Sequence, residues 1–291
     1  MNIFFGLILV CASVLGGFWA MGGPLYVLWQ PYEIVIIVGA ALGAFIIANP
    51  NSVLKDTITS IIALIRGKPY KSKDYLELFS LLYLVFKVGR NNLKKIESDL
   101  DKPSESGFFK QFPTLNKHPK NVRFLADYMR LVLLGSDKPH ELESLIDEEI
   151  ETIERALMRV PNALTIMADS LPAIGIIAAV LGVIKAMGAI SEPPEVLGML
   201  IGGALVGTFL GILLSYGLVG PLANAIRMRR EQELAYYISI KSSLIAFLNG
   251  YAPQICVEYG RKVVAEDVRP EFEEVENTTI ETAQNVGMNI K

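Results

Sequence analysis

The chain has 291 residues, of which 52% are hydrophobic, and a formal net charge of −3. Its mean hydropathy of +0.39 excludes an ordinary soluble domain and favours an integral membrane protein. Charge is unevenly placed, because residues 1–32 and 196–226 contain no Asp, Glu, Lys or Arg, whereas residues 50–170 hold 18 of the 27 Lys and Arg. The sequence therefore alternates between apolar segments and charged ones.

Four apolar segments predict membrane spans, at about residues 2–20, 32–50, 171–190 and 197–222. Each is close to the ~20 residues that a helix needs to cross ~30 Å of hydrocarbon, and helices satisfy their own backbone groups in lipid. The first segment lacks the basic start and the cleavage site of a signal peptide, so we expect it to be retained. The predicted fold is all-α: a polytopic membrane protein with four transmembrane helices and a large helical cytoplasmic insert.

Orientation follows from the basic residues. The segment 51–170 and the part after residue 222 hold 26 of the 27 Lys and Arg, the exception being Lys185. The positive-inside bias predicts that both, and the N-terminus, lie in the cytoplasm. The predicted organisation is a first hairpin (1–50), a cytoplasmic helical domain (51–170), a second hairpin (171–222), and cytoplasmic C-terminal helices with a flexible tail (223–291).

The charged segments also show helical patterning. Apolar residues at helical spacing predict helices at about 74–100, 122–134 and 138–160, whereas the prolines and glycine of 101–120 favour a loop. Residues from about 277 are polar and aperiodic, which predicts disorder.

Small residues recur every four positions in the fourth span, at Gly203, Gly207, Gly211 and Ser215. They share one helix face and let another backbone approach closely, either from the same chain or from a partner. Thr208 adds a hydroxyl to this apolar surrounding.

Ionisable side chains are scarce in the spans. No Asp or Glu lies in the interior of a span, Glu33 and Asp169 lie at the edges, and Lys185 is the one interior charge. Lys185 either extends to the outer surface or lines a pore. A cation pathway normally needs a carboxylate, so the chain is either not a transporter or works with a helix that brings the acid.

Pro172 begins the third span and Pro221 ends the fourth. Each removes a backbone donor and can kink a helix, or simply marks a span boundary. The sequence contains no nucleophile–base pair, metal-ligand cluster or phosphate loop, so we expect no enzymatic activity, no metal and no cofactor.

Several motifs occur in a characteristic order: "DEEIE" at 147–151, "ADSLPAIGIIAAVLGV" at 168–183, "ALVGTFLGILLSYG" at 204–217, "NGYAP" at 249–253 and "VEYGRK" at 257–262. In these motifs the chain resembles the MotA family, the A subunit of the bacterial flagellar stator. The energy-coupling subunits ExbB and TolQ, which drive outer-membrane processes, are the alternative and fit less well, since they usually have three spans. A structural scaffold without ion flux is a third possibility.

The resemblance implies a multi-pass protein of the bacterial inner membrane that forms a ring, a pentamer, around a dimer of MotB-like B subunits. The B subunit would carry the essential aspartate, and the third and fourth spans would line a proton-conducting path. The assembly would exert torque on the rotor protein FliG; nucleic acid is not an expected partner.

The resemblance also implies roles for single residues. Thr208 would lie close to the aspartate of the partner, and Pro172 and Pro221 match the prolines that couple ion flow to movement. Arg90 and Glu97 match charges that contact the rotor, and Glu149 lies in the acidic stretch of the family. Sodium-driven relatives tend to have a hydroxyl where this chain has Ala179. Because Thr208 alone supplies too few oxygen ligands for Na⁺, we expect the ion to be H⁺.

Overall fold

The computed structural model describes residues 2–103, 106, 109–116, 118–135 and 138–287. The regular structure of this part of the chain is helical: α1 (Asn2–Ala20), α2 (Pro31–Ala48), α3 (Asn51–Ile65), α4 (Ser72–Asn92), α5 (Glu97–Asp101), α6 (Pro113–Asn116), α7 (Pro119–Leu133), α8 (Pro139–Met187), α9 (Pro194–Leu214), α10 (Gly220–Leu248), α11 (Pro253–Lys262) and α12 (Phe272–Gly287). Short 3₁₀ turns occupy Leu25–Leu28, Leu93–Ile96 and Phe109–Gln111, and a π turn, Ser215–Val219, joins α9 to α10.

The chain forms two compact units. The first comprises Met1–Gly67 and Met158–Arg229, and the second comprises Lys68–Leu157 and Arg230–Lys291. Helix α3, which the sequence assigned to the cytoplasmic domain, groups with the apolar helices of the first unit. Within the described residues, three hydrophobic stretches are long enough to cross a membrane, Leu25–Ala48, Pro139–Met187 and Pro194–Leu248, and Phe4–Ala20 is a shorter apolar helix. The three long stretches cover most of the second and third predicted spans and all of the fourth.

Helix α8 is longer than expected. The sequence predicted a cytoplasmic helix and a separate third span, but one helix of 49 residues contains both, with Pro161 and Pro172 inside it. A proline in a helix removes one backbone hydrogen bond, and the turns on either side can still continue the helix when packing holds them.

The predicted disorder from residue 277 is wrong for the described part of that segment. Helix α12 continues to Gly287. Val275, Thr279 and Ala283 recur every four residues and are buried, so the helix has an apolar stripe that packs onto the second unit. The predicted loop at 101–120 contains short helical turns, and its Phe109 and Phe112 are buried.

The core of the second unit surrounds α4, in which every residue from Leu78 to Phe86 is buried. Aromatic rings pack around this helix: Phe86 stacks on Phe247 with ring centroids 4.7 Å apart. The "NGYAP" motif forms the turn between α10 and α11, where Gly250 has a φ of +83° that favours glycine and Pro253 is the first residue of α11. The local backbone conformation therefore accounts for the glycine and the proline of this motif.

Candidate ion-pathway site

The glycine ladder of α9 packs against α8 of the same chain. A Cβ atom added to Gly207 would lie 3.1 Å from the Ala179 nitrogen, and one added to Gly211 would lie 2.7 Å from the Leu171 carbonyl oxygen. Gly203, the first residue of the ladder, faces the Gln30 side chain instead of α8. A Cβ atom added to Gly203 would lie 2.9 Å from Gln30 Nε2. Of the two alternatives left open by the sequence, this face of α9 is occupied by the chain itself.

Helix α8 supplies matching glycines. A Cβ atom on Gly175 would lie 2.8 Å from the Gly207 carbonyl oxygen, and one on Gly182 would lie 2.6 Å from the Ala204 Cβ. Sequence reasoning missed these two residues, although their seven-residue spacing places them on one face of α8. Small residues on both sides let the two backbones touch.

Thr208 lies next in sequence to the α9 residue that contacts Ala179. Gly207, which touches Ala179, is the residue before Thr208. Thr208 is half-buried, and the described part of the chain offers its hydroxyl no hydrogen bond. Its neighbours Leu205 and Ile212 are exposed. Thr208 therefore borders a surface of α9 that the chain itself leaves uncovered.

Ser215, the last member of the ladder, makes a polar contact with α8. Its Oγ donates a hydrogen bond of 2.7 Å to the Ala168 carbonyl oxygen, and the side chain is buried. The residue four positions after Ala168 is Pro172, which has no N–H to donate along the helix. Ser215 thus satisfies a carbonyl that Pro172 leaves without its helical donor.

A π turn begins at the same residue. The Gly220 N–H donates to the Ser215 carbonyl, five residues back, and Pro221 follows at the start of α10. Pro221 is exposed and offers no N–H to the Gly217 carbonyl. Single π turns within helices are frequent at functional sites, because they place one extra residue in the turn.

A polar cavity of about 290 Å³ lies beside these turns. Four of its lining residues, Asp169, Asn224, Arg227 and Thr165, can hydrogen-bond to water or an ion. Ala168 and Ser215 line the cavity as well. The Arg227 guanidinium donates a 3.1 Å hydrogen bond to Asn162 Oδ1. The cavity therefore places polar groups at one end of the α8–α9 contact.

Two further ionisable groups, Lys185 and Glu33, remain apart from this arrangement. Lys185 is exposed, two residues before the end of α8. Glu33 lies in the first turn of α2, where the helix dipole favours a negative charge, and its Oε2 has no hydrogen-bond partner among the described residues. Neither residue is brought to Thr208 by a contact that the structure records.

The predicted rotor-facing charges belong to the second unit. Arg90 is exposed in the last turn of α4, and Glu97 is exposed at the start of α5, with the 3₁₀ turn Leu93–Ile96 between them. Neither forms an ion pair within the described part of the chain.

Glu149 is engaged by the fold. The Tyr128 hydroxyl donates a 2.6 Å hydrogen bond to Glu149 Oε2, and burial together with this carboxylate raises the pKa of Tyr128. Its neighbour Asp147 forms a 2.6 Å ion pair with Lys241 of α10. Part of the acidic stretch thus ties α8 to α7 and α10.

Comparisons with known proteins match this architecture over both units. A motility protein A N-terminal family model matches residues 4–92, and a MotA/TolQ/ExbB proton channel family model matches residues 117–238. The chain is a multi-pass inner-membrane protein of the proton channel class, which is not a class of enzymes.

Relatives define the family more closely. Motility protein A of Escherichia coli is 41% identical to this chain, in a match that covers 95% of this chain and 94% of the relative. Chemotaxis protein LafT of Vibrio parahaemolyticus is 34% identical, in a match that covers 95% of this chain and 97% of the relative. The chain therefore belongs to the motility protein A family.

Solved structures share the fold. The structure of C. jejuni MotAB superposes on this chain with a TM-score of 0.73 and 16% sequence identity. The match covers 91% of this chain and 96% of the C. jejuni chain. The flagellar MotAB stator complex of Bacillus subtilis has a TM-score of 0.66 and 22% sequence identity. That match covers 88% of this chain and 92% of the B. subtilis chain.

Proposed function

We propose that the chain is the A subunit of a flagellar stator and that, with a MotB-like B subunit, it converts proton flow into torque on the rotor. One observation carries the proposal: the chain belongs to a proton channel family, yet no Asp or Glu lies in the interior of its predicted spans. A proton path without a carboxylate needs a second chain that supplies one. The MotAB complexes that share this fold support a B subunit in that role.

In the membrane, we propose four spans, with α1 as the first and with both termini in the cytoplasm. The distribution of Lys and Arg supports this orientation, because 26 of the 27 lie in the two long polar segments. The exposed apolar side chains of α1, such as Phe5 and Ile8, suit a lipid-facing helix.

The assembly that we propose is a pentameric ring of A subunits around a B dimer. Exposed apolar residues on α8 and α9, among them Ile177, Ile184 and Leu205, support burial against other chains or lipid. In this arrangement α8 and α9 line the conduit, and the unbonded Thr208 hydroxyl approaches the aspartate of the B subunit.

The proposed ion is H⁺. A proton needs a carboxylate and water, whereas Na⁺ needs several oxygen ligands at once. Ala179, beside Gly207, supplies no side-chain oxygen, so the hydroxyl of Thr208 is the polar side chain closest in sequence to that contact. The cavity beside Asp169 and Arg227 would receive protons on the cytoplasmic side.

Coupling to movement would pass through Pro172 and Pro221. Protonation of the partner carboxylate removes a charge from the conduit, and a change in the bend of α8 or of the π turn would then shift the cytoplasmic helices. Exposed Arg90 and Glu97, which lack ion pairs within the described residues, would deliver that shift to FliG.

The prolines provide the test. We expect Pro172→Ala and Pro221→Ala to abolish torque, measured as rotation of tethered cells, while the amount of the A subunit in the membrane stays unchanged. Pro194→Ala is a matched control, because Pro194 begins α9, where no preceding turn loses a donor. Normal rotation in both variants would refute the proposed coupling.

A further inference from the structure

Ser215 links two proline-containing segments of the first unit, one through its hydroxyl and the other through its backbone carbonyl. On one side, it donates to the Ala168 carbonyl, which lacks its helical donor because Pro172 has no N–H. On the other side, the Ser215 carbonyl accepts the N–H of Gly220, and this bond closes the π turn immediately before Pro221. One buried residue is thus bonded to the backbone at both places where a proline interrupts the helical pattern.

We infer that Ser215 is a positioning residue that makes the Pro172 segment of α8 and the π turn before Pro221 move as one body. The inference rests on the proposed stator function. The glycine contacts of the preceding turn support it, since a Cβ on Gly211 would lie 2.7 Å from the Leu171 carbonyl oxygen and 2.8 Å from the Gly175 Cα. Such close backbone contact leaves α9 little freedom to slide along α8, and the Ser215 bond fixes the next turn.

The consequence concerns coupling rather than conduction. Ser215 also lines the polar cavity beside Asp169, but its hydroxyl is already engaged by Ala168. Removal of the hydroxyl would leave the proton path in place and let α8 bend at Pro172 without the π turn following. Protons would then pass with less torque for each proton.

The first experiment tests the contact through a double-mutant cycle. In Ser215→Ala the Ala168 carbonyl is left buried without a donor, and we expect the unfolding midpoint of the purified A–B complex to fall by roughly 5 °C. In Pro172→Ala the new N–H of residue 172 satisfies that carbonyl, so adding Ser215→Ala should change the midpoint little. If Ser215→Ala lowered the unfolding midpoint equally in the wild type and in Pro172→Ala, the inference would be overturned.

The second experiment measures function. In cells with equal amounts of complex, we expect Ser215→Ala to lower the stall torque per unit of proton flux about twofold or more, with Ser215→Cys in between because a thiol is a weaker donor. Ser170→Ala is the matched control: its hydroxyl bonds Met167, whose carbonyl keeps the backbone N–H of Leu171 as a donor.

The outcomes separate the two proposals. If the motor works and the Ser215→Ala variant gives the same torque per proton as the wild type, only the role of Ser215 is overturned. A wild-type complex that carries protons without any torque would overturn the stator function, whereas the unfolding cycle would still report whether Ser215 replaces the donor that Pro172 lacks.

Discussion

Single side chains in the second unit divide into those that hold the fold and those that the fold leaves available. Asp147 is paired with Lys241, and Glu149 accepts the hydroxyl of Tyr128. Arg90 and Glu97 are exposed and have no ion pair within the described residues. The free energy of an exposed charge depends little on its surroundings, so reversing such a charge should alter binding to a partner more than folding.

We therefore expect Arg90→Glu or Glu97→Lys to reduce swimming speed severalfold with an unchanged unfolding midpoint. Compensating charge reversals on the rotor protein should restore part of the speed. Lys73→Glu, an exposed reversal near the other end of α4, serves as the control. Unaltered swimming after both reversals would show that these charges are only solvated.

Among the helices of the first unit, α8 and α9 make a close backbone contact. Both backbones carry glycines where they touch, and the atoms that an added Cβ would meet are mostly backbone atoms, which cannot move aside as a flexible side chain would. Adding a methyl group to a packed contact of this kind typically lowers the free energy of unfolding by about 1–3 kcal/mol.

Gly211→Ala is accordingly expected to destabilise the first unit by about 1–3 kcal/mol and to impair swimming. The measurement is the thermal unfolding of the detergent-purified protein. Gly198→Ala, in the same helix, meets no atom within 4 Å and should be neutral. If the two variants unfolded alike, the packing of the ladder on α8 would be contradicted.

The apolar helices and the glycine ladder could be predicted from the sequence, because hydropathy and the four-residue spacing of Gly203, Gly207 and Gly211 are properties of one helix. The helix that the ladder faces could not be predicted, since spacing does not identify a partner. The continuity of α8 was missed because Pro172 is also consistent with a span boundary. Helix α12 was missed because its stripe of Val275, Thr279 and Ala283 is weakly apolar, and its packing on the second unit supplies the stabilisation.

The role of Ser215 depends on two helices at once. It requires the donor missing at Pro172, the carbonyl of Ala168 and a hydroxyl 2.7 Å away at the start of the π turn that follows α9. A sequence shows the first two, because a proline always deprives the carbonyl four residues earlier. The third depends on the tertiary structure.

At the scale of the whole molecule, the chain is an incomplete proton channel by composition. It belongs to a proton channel family, but its acidic residues lie at span edges and in the polar segments. In the function proposed above, a partner chain that brings a carboxylate completes the path, and this chemistry is the reason for pairing an A subunit with a B subunit. On this proposal, the energy that drives the rotor is the free energy of protons crossing the membrane.

Flagellar rotation under controlled ion gradients tests this claim most directly. Tethered cells that depend on this chain and its B subunit would be recorded in sodium-free medium, before and after addition of a protonophore. The account predicts that the rotation rate is unaffected by removal of sodium and falls to zero as the protonophore collapses the proton gradient. Rotation that stops without sodium, or that persists after the proton gradient is gone, would contradict it.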